Sequence, residues 1–270
     1  MLAGARTAAR EAKAVAIPRS VGWLRADVVW SLARVEAKRL LLGPAFYVTI
    51  GLVGLLSMVS VFGAIGDPGE GGDGPNLGAL IGLGACLGVL LATPIAVNAS
   101  AVRADREGLR EQFGVAPSSP ETRTIGLFGG LALGPVVLLS MVLAVATPFF
   151  RDATETASIG LLVQVPLVGL ALGSIAIGFG RWIRYPVGGV LIIVLHVFTP
   201  LIWALPWIVE GNEGWDLEWH FGYLVAQIAL WLSIALAGDR RRLTSAIAPV
   251  ICLGLVIICA MQRIPAAGME

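Results

Sequence analysis

From Leu77 to Asn98 the chain reads "LGALIGLGACLGVLLATPIAVN", 22 residues without a charge and more than a soluble core helix needs. An α-helix rises about 1.5 Å per residue and the hydrocarbon core of a bilayer is about 30 Å thick, so roughly 20 apolar residues cross it. The same pattern recurs along the chain. It predicts spans at about 44–65, 77–98, 125–147, 159–180, 187–209, 222–238 and 245–262. These runs are continuous and far exceed the roughly 10 alternating residues of a membrane strand, so they are helices. The expected fold is therefore an all-α polytopic membrane protein. The seventh run is short enough to lie in the interface, and the fifth, with Pro200 and Pro206, could break and re-enter.

Only 14% of the residues are charged, against 57% hydrophobic, so where the charges fall matters more than their sum of +1. Retention of Lys and Arg on the cytoplasmic side sets orientation. The amino-terminal arm holds Arg6, Arg10, Lys13, Arg19, Arg25, Arg34, Lys38 and Arg39; Arg103, Arg106, Arg110 and Arg123 lie between the second and third runs, and Arg181, Arg184 and Arg240 to Arg242 follow later. Seven crossings put all of these on one side, with acidic residues such as Asp67, Glu70, Asp73, Glu210 and Glu213 opposite. The amino terminus is expected to be cytoplasmic and the carboxyl terminus external. The first residues lack the sustained apolar core of a cleavable signal, which leaves the first span as the insertion signal.

Residues 1–43 form a cytoplasmic arm ending in a helix over about 21–42, residues 44–262 the transmembrane domain, and 263–270 a tail. Within the arm, Val21, Leu24, Val28, Leu32 and Val35 recur at helical spacing, while Trp23 and Trp30 favour the headgroup level. This predicts an interfacial helix whose Arg34, Lys38 and Arg39 could meet anionic lipid; the alternative is a plain extension of the first span. Gly43 and Pro44 punctuate the join.

The connection at 99–124 is the densest charged stretch. Arg103 to Phe113 favours helix, with Leu109 and Phe113 one turn apart and Arg103, Glu107 and Arg110 able to pair beside them. Gly114 ends it, and Ser119, Pro120 and Glu121 supply an N-cap, a first-turn proline and an acidic residue for the next helix. A solvated, self-neutralised loop is the simpler reading of the same residues.

Chemistry inside the spans is sparse. No Asp, Glu, Lys or Arg falls within any run, and HExxH, GxSxG and GxxxxGK[ST] are absent. No enzymatic activity and no bound metal is expected, and Cys86, Cys252 and Cys259 read as small buried apolar residues. Gln164, His196 and Gln227 remain as candidate pathway-lining groups, although lone polar residues in spans more often join helices by hydrogen bonds. Small-residue stripes at Gly84/Gly88/Ala92, Gly126/Gly130/Gly134 and Gly169/Gly173 predict close helix packing.

The order of parts resembles the permease subunits of type-2 export ABC transporters, especially multi-span forms from high-GC bacteria. The stretches that carry the resemblance are "VEAKRLLLGPAFYVTIGLVGLL", "ADREGLREQFGVAPSSPETRTIGLFGGLALGP", "RWIRYP" and "WHFGYLVAQIALWLSIALAGDRRR". The resemblance implies a six-helix permease core in the bacterial cytoplasmic membrane, here with a seventh carboxy-terminal span. It implies a second permease subunit, of the same or a different chain, and a separate cytoplasmic ATP-binding subunit that holds ATP and Mg; this chain would bind no cofactor, and no nucleic-acid partner is expected. The family's coupling helix maps to "VRADREGLREQF", with Leu109 and Phe113 as apolar knobs and Arg103, Arg106, Glu107, Arg110 and Glu111 as the polar rim. The helix at about 21–42 matches the family's connecting helix, and its re-entrant external element maps to 204–219. The competing expectation is a non-transport membrane scaffold or sensor that binds another cytoplasmic partner through the same loop.

Overall fold

The computed structural model describes residues 26–66, 77–106, 119–150, 157–183, 217–240 and 246–262, together with isolated positions between 185 and 194. Every regular element among them is helical: α1 (Ala26–Leu42), α2 (Pro44–Gly66), α3 (Leu77–Arg106), α4 (Pro120–Leu131), a π-helical turn (Ala132–Val136), α5 (Val137–Phe150), α6 (Ala157–Trp182), α7 (Leu217–Arg240) and α8 (Ile247–Gln262). The protein is an α-helical membrane protein of the multi-pass kind. Val21, Trp23, Leu24, His196, the 107–118 segment, most of the 187–209 run, most of the 204–219 element and the 263–270 tail lie outside the described residues.

Where seven runs were expected to cross, four helical stretches among the described residues are long and apolar enough: Gly84–Arg103, Pro120–Thr147, Val163–Trp182 and Glu218–Gly238. A fifth follows if Ala26–Leu42 and Pro44–Leu56, bent by 43°, count as one span. Helix α8 has only 16 residues, about 24 Å of rise against a core of about 30 Å.

The bend between α1 and α2 has a local cause. Pro44 has no N–H to continue the α1 ladder, so Gly43 O instead accepts the first-turn amides of α2, Phe46 N at 3.0 Å and Tyr47 N at 3.4 Å. A Cβ on Gly43 would stand 3.0 Å from Arg39 O, which leaves room for glycine and little else. Pro135 has a comparable effect inside the third run. Its missing amide falls within the π turn of Ala132–Val136, and Ser140 Oγ donates to Val136 O at 2.9 Å just below it.

Helices α2, α3, α6, α7 and α8 pack in that order as a row, and the α4–α5 span lies against α3 and α6 with α1 on its outer side. Helix α6 is central, buried on all faces from Ala171 to Gly178, as a helix apolar all round must be. It runs parallel to α7. Gly178 meets Trp231 one helical turn before Trp182 Nε1 donates to Ile234 O at 3.0 Å, and the Phe179 and Trp231 rings stack at 5.3 Å. Helix α8 then returns along α7 and sets Cys259 Sγ against Gly222.

Buried hydroxyls find partners within their own helices. Thr93 Oγ1 donates to Val89 O (2.7 Å), Ser174 Oγ to Leu170 O (2.7 Å) and Thr147 Oγ1 to Leu143 O (2.8 Å). In hydrocarbon each unsatisfied polar group would cost several kcal/mol, about the scale of a whole helix-packing contact.

Candidate functional site at the α3–α4 junction

The 107–118 segment leaves the end of α3 and enters the start of α4, so whatever it does is transmitted through those two flanks. On the α4 side, Ser119 is extended (φ −68°, ψ 158°), its Oγ accepts from Thr122 N at 3.2 Å, Pro120 opens the helix and Glu121 sits in the first turn. Sequence chemistry locates this boundary correctly, because the cap satisfies a first-turn amide that would otherwise be an orphan.

Helix α4 is then fastened to α1 along a seam of glycines. A Cβ on Gly126 would lie 2.8 Å from Leu32 Cβ, on Gly129 2.8 Å from Ala33 Cβ, on Gly130 2.6 Å from Glu36 Cβ, and on Gly134 3.1 Å from Ala37 O. The contacts advance together on both helices, so α1 and α4 run side by side and in the same direction. Real Cβ atoms do not approach that closely, so only glycine permits the backbones to meet here. The seam places Ala33 and Leu40 in the interior, while Val28 and Leu32 are half-buried and Val35 is exposed. The buried face of α1 is thus rotated from the Val21–Val35 stripe toward its small residues, because the partner is a glycine face rather than a leucine-rich one.

Helix α1 is also tied to α3. Glu36 Oε2 accepts from Ser100 Oγ at 2.9 Å and Oε1 from Arg39 Nη1 at 3.0 Å, with the Glu36 side chain only 17% exposed. Sequence reasoning passed over Glu36. The signal that could have found it is its place on the helix face of Ala33, Ala37 and Leu40, with Arg39 three residues on.

One turn deeper in α3, Asn98 is fully buried, and its Nδ2 donates to Ala176 O of α6 at 3.5 Å. Its amide is flanked by Gly180 and Gly188, whose absent Cβ atoms would come within 3.4 and 3.0 Å of Nδ2. Asn98 Oδ1 has no hydrogen-bond partner. A buried amide with one lone group is costly to keep.

Of the residues expected to form the coupling helix, Arg103 is exposed in the last turns of α3 and is engaged in an interaction there. Arg106 closes α3, and Glu107, Leu109, Arg110, Glu111 and Phe113 lie outside the described residues.

The candidate pathway residues are not brought together. Gln164 is buried on α6. Gln227 on α7 is half-buried and is held in a ladder along its own helix, donating to Tyr223 Oη and accepting from Trp231 Nε1, both at 3.2 Å. With Gly178 beside Trp231 in a parallel pair, Gln227 lies about ten residues, or roughly 15 Å, along the axis from the level of Gln164. Among the described residues no three His, Cys, Asp or Glu side chains are grouped to hold a metal ion.

No family model and no curated protein matches the chain.

Proposed function

We propose that this chain is the membrane-spanning subunit of an ATP-driven transporter of the type-2 permease class, energised by a separate ATP-binding subunit that docks on the 107–118 segment. The supporting observation is the mounting of that segment. Its α4 flank is capped at Ser119 and seamed to α1 through four glycines, and its α3 flank is tied to α1 through Glu36 and Ser100. A segment held this way can pass a push from a partner to three helices at once, which a slack solvated loop cannot do. The charged segment then faces the cytoplasm of a bacterial cell membrane, the partner ATPase carries ATP and Mg, and a second permease subunit completes the pathway. The charge-free runs suit an amphipathic or lipid-like substrate better than a small ion.

The test is a crosslink. With Cys86, Cys252 and Cys259 replaced, single cysteines at positions 109 and 113 are expected to link to a co-expressed ATPase bearing GxxxxGK[ST]. Normal assembly without a link at either position counts against the docking. Capture of a partner with no nucleotide-binding motif would instead favour the scaffold reading.

A further inference from the structure

We propose that the groove between α1 and α4 is a binding site for a bilayer phospholipid with an anionic headgroup, recognised by Arg34 and Lys38. The site has two parts that point to the two ends of one molecule.

The first part is an apolar groove of about 500 Å³ on the open side of the glycine seam, lined by Val29, Trp30, Ala33, Phe128, Ala132 and Leu133 among others, with almost no polar surface. It ends at Leu133. Below that point Val137, Met141 and Val145 continue at four-residue steps as exposed apolar side chains, the last two 63% and 72% exposed. Residues four apart on a helix share a face, so groove and stripe make one track long enough for an acyl chain.

The second part is a pair of cations on the α1 rim. Arg34 lies with its guanidinium carbon 4.9 Å from the Trp30 ring centroid, and Lys38 follows one turn later and is exposed. Neither has a carboxylate partner. The carboxylates near them are committed elsewhere: Glu36 is bound by Ser100 and Arg39 on another face, and Asp27, two turns before Arg34, is itself engaged. Arg39, the third cation of this helix, is neutralised by Glu36 and drops out of the site. Two unpaired cations beside an amphipathic indole at the mouth of an apolar track match a phosphate head above a hydrocarbon tail. The site depends only on the chain lying in a membrane and holds whether or not an ATPase is its partner.

The experiment uses the full chain purified in detergent, titrated with phosphatidylglycerol or with phosphatidylcholine of identical acyl chains and read by native mass spectrometry. One tightly retained phosphatidylglycerol is expected, preferred over phosphatidylcholine by at least tenfold, since each basic residue near an anionic lipid is worth about fivefold. Arg34→Gln/Lys38→Gln should abolish the preference without altering the helical circular dichroism. Leu133→Trp, which crowds the lower mouth, should weaken retention of both lipids. A phosphatidylglycerol carrying a photoreactive acyl chain should label α1 and α4–α5. Equal retention of the two lipids by the native chain would overturn the proposal, as would a preference that survives Arg34→Gln/Lys38→Gln or labelling spread evenly over the exposed faces of α2 and α8.

Discussion

Glu36 Oε2 and Ser100 Oγ meet at 2.9 Å, joining α1 to the last turns of α3 across 64 residues of sequence. A hydrogen bond to a carboxylate that is mostly withdrawn from solvent is worth about 1.5–3 kcal/mol. Ser100→Ala is therefore expected to lower stability by about 1–2 kcal/mol, measured by SDS-titrated unfolding in mixed micelles. Glu36→Gln should cost less, because a glutamine oxygen still accepts from Ser100. If the two variants behave like Arg39→Gln, whose solvent-exposed i,i+3 pair is worth only tenths of a kcal/mol, the bond does not hold the junction.

The glycines of the four-residue stripes are not equivalent. A Cβ at Gly130 would meet Glu36 Cβ at 2.6 Å and Ala37 N at 2.9 Å, whereas at Gly88 its nearest neighbours stand at 3.8–3.9 Å and at Gly51 and Gly54 nothing lies within 4 Å. Gly130→Ala should cost about 2 kcal/mol or more by forcing α1 off α4. Gly51→Ala and Gly54→Ala should be neutral or gain up to about 1 kcal/mol from helix propensity. Unfolding of the three variants under one condition checks the ranking, and a Gly130→Ala as stable as Gly54→Ala would mean the seam is looser than described.

Ser119 gives a local rather than a global prediction. Ser119→Ala removes the acceptor for Thr122 N and should cost about 1 kcal/mol. Hydrogen exchange at the first turn of α4 is expected to speed up about fivefold, with no change in the buried stretch of α6. Ser119→Asp, which caps equally well, should restore protection.

These contrasts show what patterning can and cannot carry. Run length and charge placement identify membrane helices because hydrocarbon thickness and backbone desolvation constrain local sequence directly. The Ser119 cap and the Gly43–Pro44 break were readable for the same reason, being set by residues within one turn. The glycine stripes predict close packing, but their partners are set by tertiary contacts. That is why Gly126/Gly130/Gly134 form a tight seam while Gly88 has room to spare. Glu36 was invisible for a related reason: a carboxylate on a surface-like helix looks solvated until Ser100 is brought to it. The separation of Gln164 from Gln227 depends on the parallel register of α6 and α7, which no local pattern encodes.

Asn98 supplies the sharpest test of the junction's polarity. Its side chain is fully buried, with one weak donation to Ala176 O and an Oδ1 that has no partner. Asn98→Ala removes the orphan acceptor together with the weak bond, so the two losses largely cancel and stability should change by less than about 1 kcal/mol. Asn98→Asp keeps the shape but must either bury a charge or hold a proton. It should cost about 3 kcal/mol or more at pH 8, where the unfolded aspartate is ionised, and less at pH 4, where the neutral acid folds with a smaller penalty. SDS-titrated unfolding at the two pH values separates the cases. An Asn98→Asp variant equally stable at both would mean that water reaches the α3–α6 contact, and the junction would then be hydrated.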